Sequence, residues 1–249
     1  MKTCAVILHY ASDFRKCMEA AKKAGVDDFV LVDNSRINMG VGAGYNEGIR
    51  KALKKNCDFF LLLDDDNLLH EDALDKLKEA YSRLNIPVTC NRKGTRADYR
   101  LVHYIGSHNA VLGLNVFKYK QTRRNIETFA SYLDNMNCGY VACAMFGGLF
   151  SHKSIIDEVG LPDEKFTMYA GDYEWTSRMG EIAVVFDAKI DEPESRQDIY
   201  EATKGHVMFQ KKLATNKFIF WINFVVYYFY LLFKKDKVKR RGLVDGYYA

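Results

Sequence analysis

The stretch VDNSRINMGVGAGYNEGIRKAL, residues 32–53, decides the fold. An apolar strand ends in Asp33-Asn34, and Gly40, Gly42, Gly44 and Gly48 lead from it into a helix. Glycine permits backbone conformations and close approaches that a side chain would block. A helix N-terminus adds unpaired amides and the positive end of a dipole. The stretch therefore reads as the strand, loop and helix of an α/β sheet, and the simplest guest for the loop is an anion such as a nucleotide phosphate. The glycines are not followed by the Lys-Ser/Thr of a P-loop, and they fit a dinucleotide fingerprint poorly. A flexible strand-to-helix turn is the equal alternative.

Working outward, the same alternation repeats. TCAVILHY reads as a first strand, DFRKCMEAAKKAG as an amphipathic helix ending at Gly25, and DFVLVDN as a second strand. After the glycine loop come a helix, YNEGIRKALKKN, and a third strand, DFFLLLDDD. Short apolar strands separated by helices imply a parallel sheet with right-handed crossovers, so residues 1–90 form a nucleotide-binding half. Ligands of such sheets collect at the carboxyl ends of the strands, where Asp33 and Asp64, Asp65 and Asp66 emerge together. Three adjacent carboxylates at the end of an apolar strand repel one another unless a cation neutralises them. Mg²⁺ or Mn²⁺ suits such a site, because these ions take oxygen ligands from one or two carboxylates and from substrate phosphates. The alternative, Asp66 or Asn67 capping the next helix, needs only one such side chain.

The bulk properties narrow the class. At 249 residues and 48% apolar, the chain can bury a large core. Its six cysteines show no CxxC pair and read as reduced, partly buried thiols, which favours a cytosolic face. The short apolar run at the N-terminus is no signal peptide. Of the net charge of +4, all lies from Lys234 onward, where six Lys/Arg stand against two Asp. A charge-balanced body argues against nucleic acid as a partner and for a local basic anchor. Just before it, FIFWINFVVYYFYLLF, residues 218–233, is apolar on every side but Asn223. Sixteen helical residues reach about 24 Å, short of the ~30 Å hydrocarbon core. Its Trp and Tyr suit a headgroup interface, and residues 218–241 together suit an anionic membrane surface. The alternative is a buried helix packed on the domain or on a second subunit as a homodimer.

Five pieces now stand in one order: VDNS, NMGVGAGYNEG, LLLDDDN, GGLFSHKSIIDEVGLPDEKF and AGDYEWTSR, across about residues 5–180. In that order they resemble the inverting family 2 glycosyltransferases of the GT-A fold, in particular the rhamnosyl- and galactofuranosyltransferase branch of surface-polysaccharide synthesis. The resemblance implies an α/β GT-A domain over 1–215, with a donor half at 1–90 and an acceptor half at 91–215, followed by a membrane-associating segment at 216–249. It implies a UDP- or dTDP-sugar donor held by His9, Asp33, Asn34, Gly40, Gly42, Asn46, Asp64, Asp65, Gly147 and Gly148. Asp64, Asp66 and His206 become candidate ligands of Mn²⁺ or Mg²⁺. Asp172 takes the position of the general base, with Glu174 beside it at the start of a helix. Gly171 departs from the pattern, since many relatives carry Asp there, and Thr215 replaces a usual Arg.

A glycan or polyprenyl-diphosphate-linked acceptor at the cytoplasmic face of the membrane follows from the same resemblance. The Arg-, Lys- and Tyr-rich residues 91–130 are either an acceptor-recognition insertion or a solvated loop and strand pair. Two other classes share parts of the pattern. A sugar-phosphate nucleotidyltransferase normally carries a longer glycine-rich N-terminal signature with a basic residue, and a non-catalytic membrane-bound module needs neither the Asp triplet nor Asp172.

Overall fold

The apolar runs of the N-terminal half are continuous because their strands are covered on both faces. In β1 (Thr3–His9), Ala5 and Ile7 join the core under α1 (Phe14–Lys23) and α3 (Ala73–Leu84), while Cys4, Val6 and Leu8 join the one under α2 (Val41–Leu53). β3 (Phe59–Asp64) divides likewise, Leu61 and Leu63 against Phe60 and Leu62. Local signals set the helix ends. The Asp13 carboxylate accepts the Arg15 amide at the start of α1, and Gly25, at φ +86°, turns the chain out of it. The structure is a computed structural model that describes residues 1–92, 109–117, 137–192 and 198–249.

One mixed sheet organises the chain. Its order is β2 (Asp28–Asp33), β1, β3, β7 (Leu149–His152), β5 (Val88–Arg92), β8 (Ile182–Asp191) and β4 (Leu68–Leu69), with β6 (Cys138–Val141) also paired to β8. β2 and β3 run parallel to β1; β3 and β5 are each antiparallel to β7 and so parallel to each other; β8 is parallel to β5. The sheet is thus mostly parallel, and the carboxyl ends of β1, β2, β3, β5 and β8 share one edge. Asp64, Arg92 and Glu192 stand on that edge. All six cysteines are free and buried.

The second half adds α4 (Ile155–Val159), α5 (Gly171–Thr176), α6 (Ile199–Leu213), α7 (Lys217–Phe233) and α8 (Lys237–Tyr248). The basic stretch expected as a tail is the helix α8, docked on α6 through its glycines. A Cβ on Gly242 would stand 2.7 Å from the Tyr200 carbonyl, and one on Gly246 would stand 2.5 Å from that of Lys204. α7 turns Phe220, Phe224 and Leu231 inward against Val111, Val207 and Leu243, and leaves Phe218, Trp221, Phe229, Tyr230 and Phe233 exposed. Residues 216–249 are therefore bound to the domain along one face rather than detached from it. Among the described residues, no helix is long and apolar enough to cross a membrane. Most of residues 91–130 lies outside the described residues.

Candidate active site

The Asp triplet divides its work. Asp65 turns back toward β1, where its Oδ2 accepts the amides of Tyr10, Ala11 and Ser12 at 2.8–2.9 Å and meets His9 Nδ1 at 3.0 Å. With three amides and an imidazole on one oxygen, Asp65 is an internal strut, and His9 is tied to it. Asp64 faces the other way: its Oδ1 accepts the Tyr45 phenol at 2.7 Å, and its Oδ2 lies 3.8 Å from Arg92. Asn67 fixes the turn by accepting the Asp64 amide at 2.9 Å and donating to Asp66 Oδ1 at 3.1 Å.

Arg92, at the end of β5, joins this group to the rest of the edge. Its buried guanidinium donates to the Gly147 carbonyl at 2.9 Å and pairs with Glu192 beyond β8. A Cβ on Gly147 would displace the Asn67 and Arg92 side-chain ends that meet there, and Gly148, at φ +89°, holds a left-handed backbone with Cys90 Cβ 2.8 Å from where its own Cβ would stand. Asp64 and Glu192 therefore share one guanidinium, and Asp66 adds a third carboxylate beside them, so that among the described residues the group carries more negative than positive charge. The imbalance shows in proton affinity. Burial, followed by the charges of Asp64, Glu192 and Asp65, pushes the Asp66 carboxyl up to about 6. Burial also raises Asp64, against the pull of Arg92 and the Tyr45 hydrogen bond.

These residues fit a hard divalent cation. Asp64 and Asp66 offer oxygens in a site with excess negative charge, and a substrate diphosphate completes such a sphere. Neither His206 nor Glu192 makes a third ligand with them: among the described residues, no three His, Cys, Asp or Glu side chains gather closely enough to hold a metal. His206 sits on α6 with its ring stacked 5.9 Å from Tyr173. Part of its surface meets solvent, yet the protein packed around the ring pushes its pKa down to about 4.

α5 is fixed over the same sheet. Buried Trp175 packs on Phe60 of β3 and on Phe146, and the Thr176 hydroxyl donates to the Ala144 carbonyl at 2.9 Å. The two acids of this helix differ. Glu174 is buried, with one oxygen 2.6 Å from Lys212 and the other 3.1 Å from Arg178, so both are engaged by cations and it is a poor base. Asp172 is half-buried on the first turn, its Oδ1 accepting the Tyr173 amide at 2.9 Å. Gly171 has a packing reason: a Cβ there would press on Phe166 at 3.0 Å.

No family model and no curated protein matches the sequence. Among solved structures the chain resembles the crystal structure of GalNAc-T7 with UDP, GalNAc and Mn²⁺, at a TM-score of 0.50 and 11% identity. The match covers 84% of this chain and 47% of that one, so this chain spans about half the length of its neighbour. The chain has a GT-A-like fold.

Within the GT-A-like fold the glycine loop holds something other than the expected anion. The first amides of α2 donate to the chain itself, Val41 to the Thr167 carbonyl at 2.8 Å and Gly42 to that of Phe166 at 3.0 Å. A Cβ on Gly40 would stand 2.8 Å from Thr167 Cα, and Gly44 and Gly48 let α2 settle on Leu8, Val6 and Val32. Asn46 donates to the Pro162 carbonyl at 3.2 Å. Gly40, Gly42 and Asn46 thus clamp α2 to segment 162–167, and the Val41 and Gly42 amides are already taken. Asn34 is buried and accepts the Met39 amide at 2.7 Å, which shapes the loop, while exposed Asp33 accepts from Ser35. Sequence reasoning missed Tyr45, Asn67, Arg92 and Glu192.

Proposed function

We propose that this protein is a metal-dependent inverting glycosyltransferase that moves a sugar from a nucleoside-diphosphate donor to a hydroxyl of a glycan acceptor. The observation that carries this reading is the unbalanced cluster of Asp64, Asp66 and Glu192 at the carboxyl edge of a GT-A-like sheet. GalNAc-T7, seen with UDP, GalNAc and Mn²⁺, lends support to the donor class and the ion. Asp64 and Asp66 would hold Mn²⁺ or Mg²⁺, which supplies positive charge to the diphosphate when bound. Arg92 fixes the Gly147 carbonyl, and Asp65 fixes the 10–12 turn beside it.

Asp172 is assigned as the general base. It takes the proton of the acceptor hydroxyl while that oxygen forms a bond to the anomeric carbon from the face opposite the diphosphate. The bond from that carbon to the diphosphate oxygen breaks, the electron pair leaves with the nucleoside diphosphate, and the centre inverts once. Glu174 positions α5 through Lys212 and Arg178.

The acceptor is assigned to a membrane surface, as in the family 2 branch that the motifs resemble. The exposed aromatic face of α7 is continued by Lys234, Lys235, Lys237, Lys239, Arg240 and Arg241, so apolar insertion and attraction to anionic lipid act at one place. Incubation with a panel of nucleotide sugars and Mn²⁺ tests the activity: at least one should yield free nucleoside diphosphate in the presence of a glycan acceptor. If none does, and none binds, the assignment is wrong. Flotation with phosphatidylglycerol vesicles tests the location: the chain should float, and the variant Trp221→Ser/Phe229→Ser/Phe233→Ser should not. Equal flotation of the two contradicts it.

A further inference from the structure

Behind α5, segment 163–166 and helices α6, α7 and α8 enclose a cavity of about 460 Å³. Its lining is cationic on balance, with Lys165, Lys211, Lys212 and Lys217 against one acidic side chain, Asp163, and the carboxylate of Ala249. Phe220 and Tyr247 supply apolar wall. Two of the lysines are engaged: Lys212 bridges Glu174 at 2.6 Å and Asp163 at 3.2 Å, while Lys211 lies over the Tyr247 ring and donates to its carbonyl. Lys165 and Lys217 form no ion pair among the described residues, and both are exposed. The space equals that of about fifteen waters in the liquid, far more than a packing defect.

Its position gives the cavity meaning. One wall is the segment whose Phe166 and Thr167 carbonyls receive the first amides of α2. Another is Lys212, whose partner Glu174 lies two residues from Asp172 on the same helix. Lys217, on the far rim, and the buried Phe220 beneath it belong to α7, which carries the bare aromatic face. The cavity thus lies between the helix of the base and the apolar surface.

We infer that this cavity binds a diphosphate group, with Lys165 and Lys217 as its free cationic contacts and Met208, Ala214 and Tyr247 against whatever apolar chain the diphosphate carries. This deepens the transferase reading and rests on it, the ligand being the phosphorylated end of the acceptor. Lysine contacts a phosphate as a compact point charge and needs no fixed fork geometry, which suits side chains at an open rim. The same chemistry could come from an isoprenoid diphosphate or from a free diphosphate.

The test is calorimetry on the full chain already saturated with UDP, with Mn²⁺ in excess over all phosphates, so that the donor site is filled. Geranyl diphosphate and inorganic pyrophosphate are titrated separately into the natural chain and into Lys165→Gln/Lys217→Gln. At least one ligand should bind the natural chain, and the double variant should bind it about tenfold or more weakly, with unchanged affinity for UDP. Tighter binding of geranyl diphosphate identifies the lipid-linked source, and equal binding identifies a free diphosphate. No binding of either ligand to the natural chain, or equal binding by the variant, overturns the proposal. Both lysines are exposed, so an unchanged melting curve separates lost binding from lost folding. If UDP itself fails to bind, the donor assignment falls, and the same titration without UDP still decides the cavity.

Discussion

Two clusters of charge, one at the sheet edge and one around α5, use similar residues to opposite ends. At the edge, Asp64 and Glu192 share Arg92 with Asp66 beside them; around α5, Glu174 is held by Arg178 and by Lys212, which also pairs with Asp163. The second cluster is neutral, its buried acid Glu174 held by two partly exposed cations, and the hydrogen bonds of Arg178 to the Val159 and Leu161 carbonyls tie it to α4. The first is left, among the described residues, with excess negative charge, and burial, followed by the neighbouring carboxylates, raises the pKa of Asp66, while burial raises that of Asp64 against the pull of Arg92. The contrast separates a strut from a site. A balanced network holds two helices together, whereas an unbalanced one at a sheet edge needs a cation from outside.

The sharpest way to break the contrast lies on α5 itself, where half-buried Asp172 stands two residues from Glu174. Asp172→Asn keeps the size and much of the hydrogen bonding but cannot take a proton. Turnover should fall about 10²–10⁴-fold with donor binding intact. Near-normal transfer would move the base elsewhere.

His206, on α6, sharpens the contrast from the balanced side. Its pKa is depressed to about 4, so below its ordinary value of 6.5 the unfolded chain binds a proton that the folded chain refuses. Stability should be full above pH 6.5 and should drop by roughly 2–3 kcal/mol as pH falls toward 4. His206→Phe should flatten that part of the pH profile in urea unfolding. If Mn²⁺ instead protects the natural chain across this range and fails to protect the variant, His206 belongs to the cation site after all.

Glu174→Gln gives the smallest effect. It leaves Lys212 and Arg178 without their charge partner, but both reach solvent, so the loss should be about 1–3 kcal/mol of stability. UDP affinity should hold. A large loss of donor binding with little loss of stability would make Glu174 part of the site.

The sequence made the sheet legible because its strands are doubly covered and so read as unbroken apolar runs, and because Asp13 and Gly25 punctuate α1. The Asp triplet was legible too, since like charges in a row demand an explanation. Its division was not: that Asp65 turns toward the 10–12 amides depends on the end of β1, more than fifty residues away in sequence. Arg92 and Glu192 meet only because β5 and β8 lie side by side. The glycine loop misled for a physical reason. Glycine marks any close approach, and here the approaching backbone is the chain's own segment 163–167 rather than a ligand. The charge beyond Lys234 was visible, but its docking on α6 through Gly242 and Gly246 could not be read from composition.

The central claim is that the sheet edge holds the donor diphosphate through a divalent cation on Asp64 and Asp66. Calorimetric titration of UDP with and without Mn²⁺, on the natural chain and on Asp66→Ala, tests it most directly. The natural chain should bind UDP tightly only when Mn²⁺ is present, and Asp66→Ala should lose that dependence along with about 100-fold or more in affinity, as one charged contact and its ion are removed. UDP binding that ignores Mn²⁺ in the natural chain, or that survives unchanged in Asp66→Ala, would contradict the account.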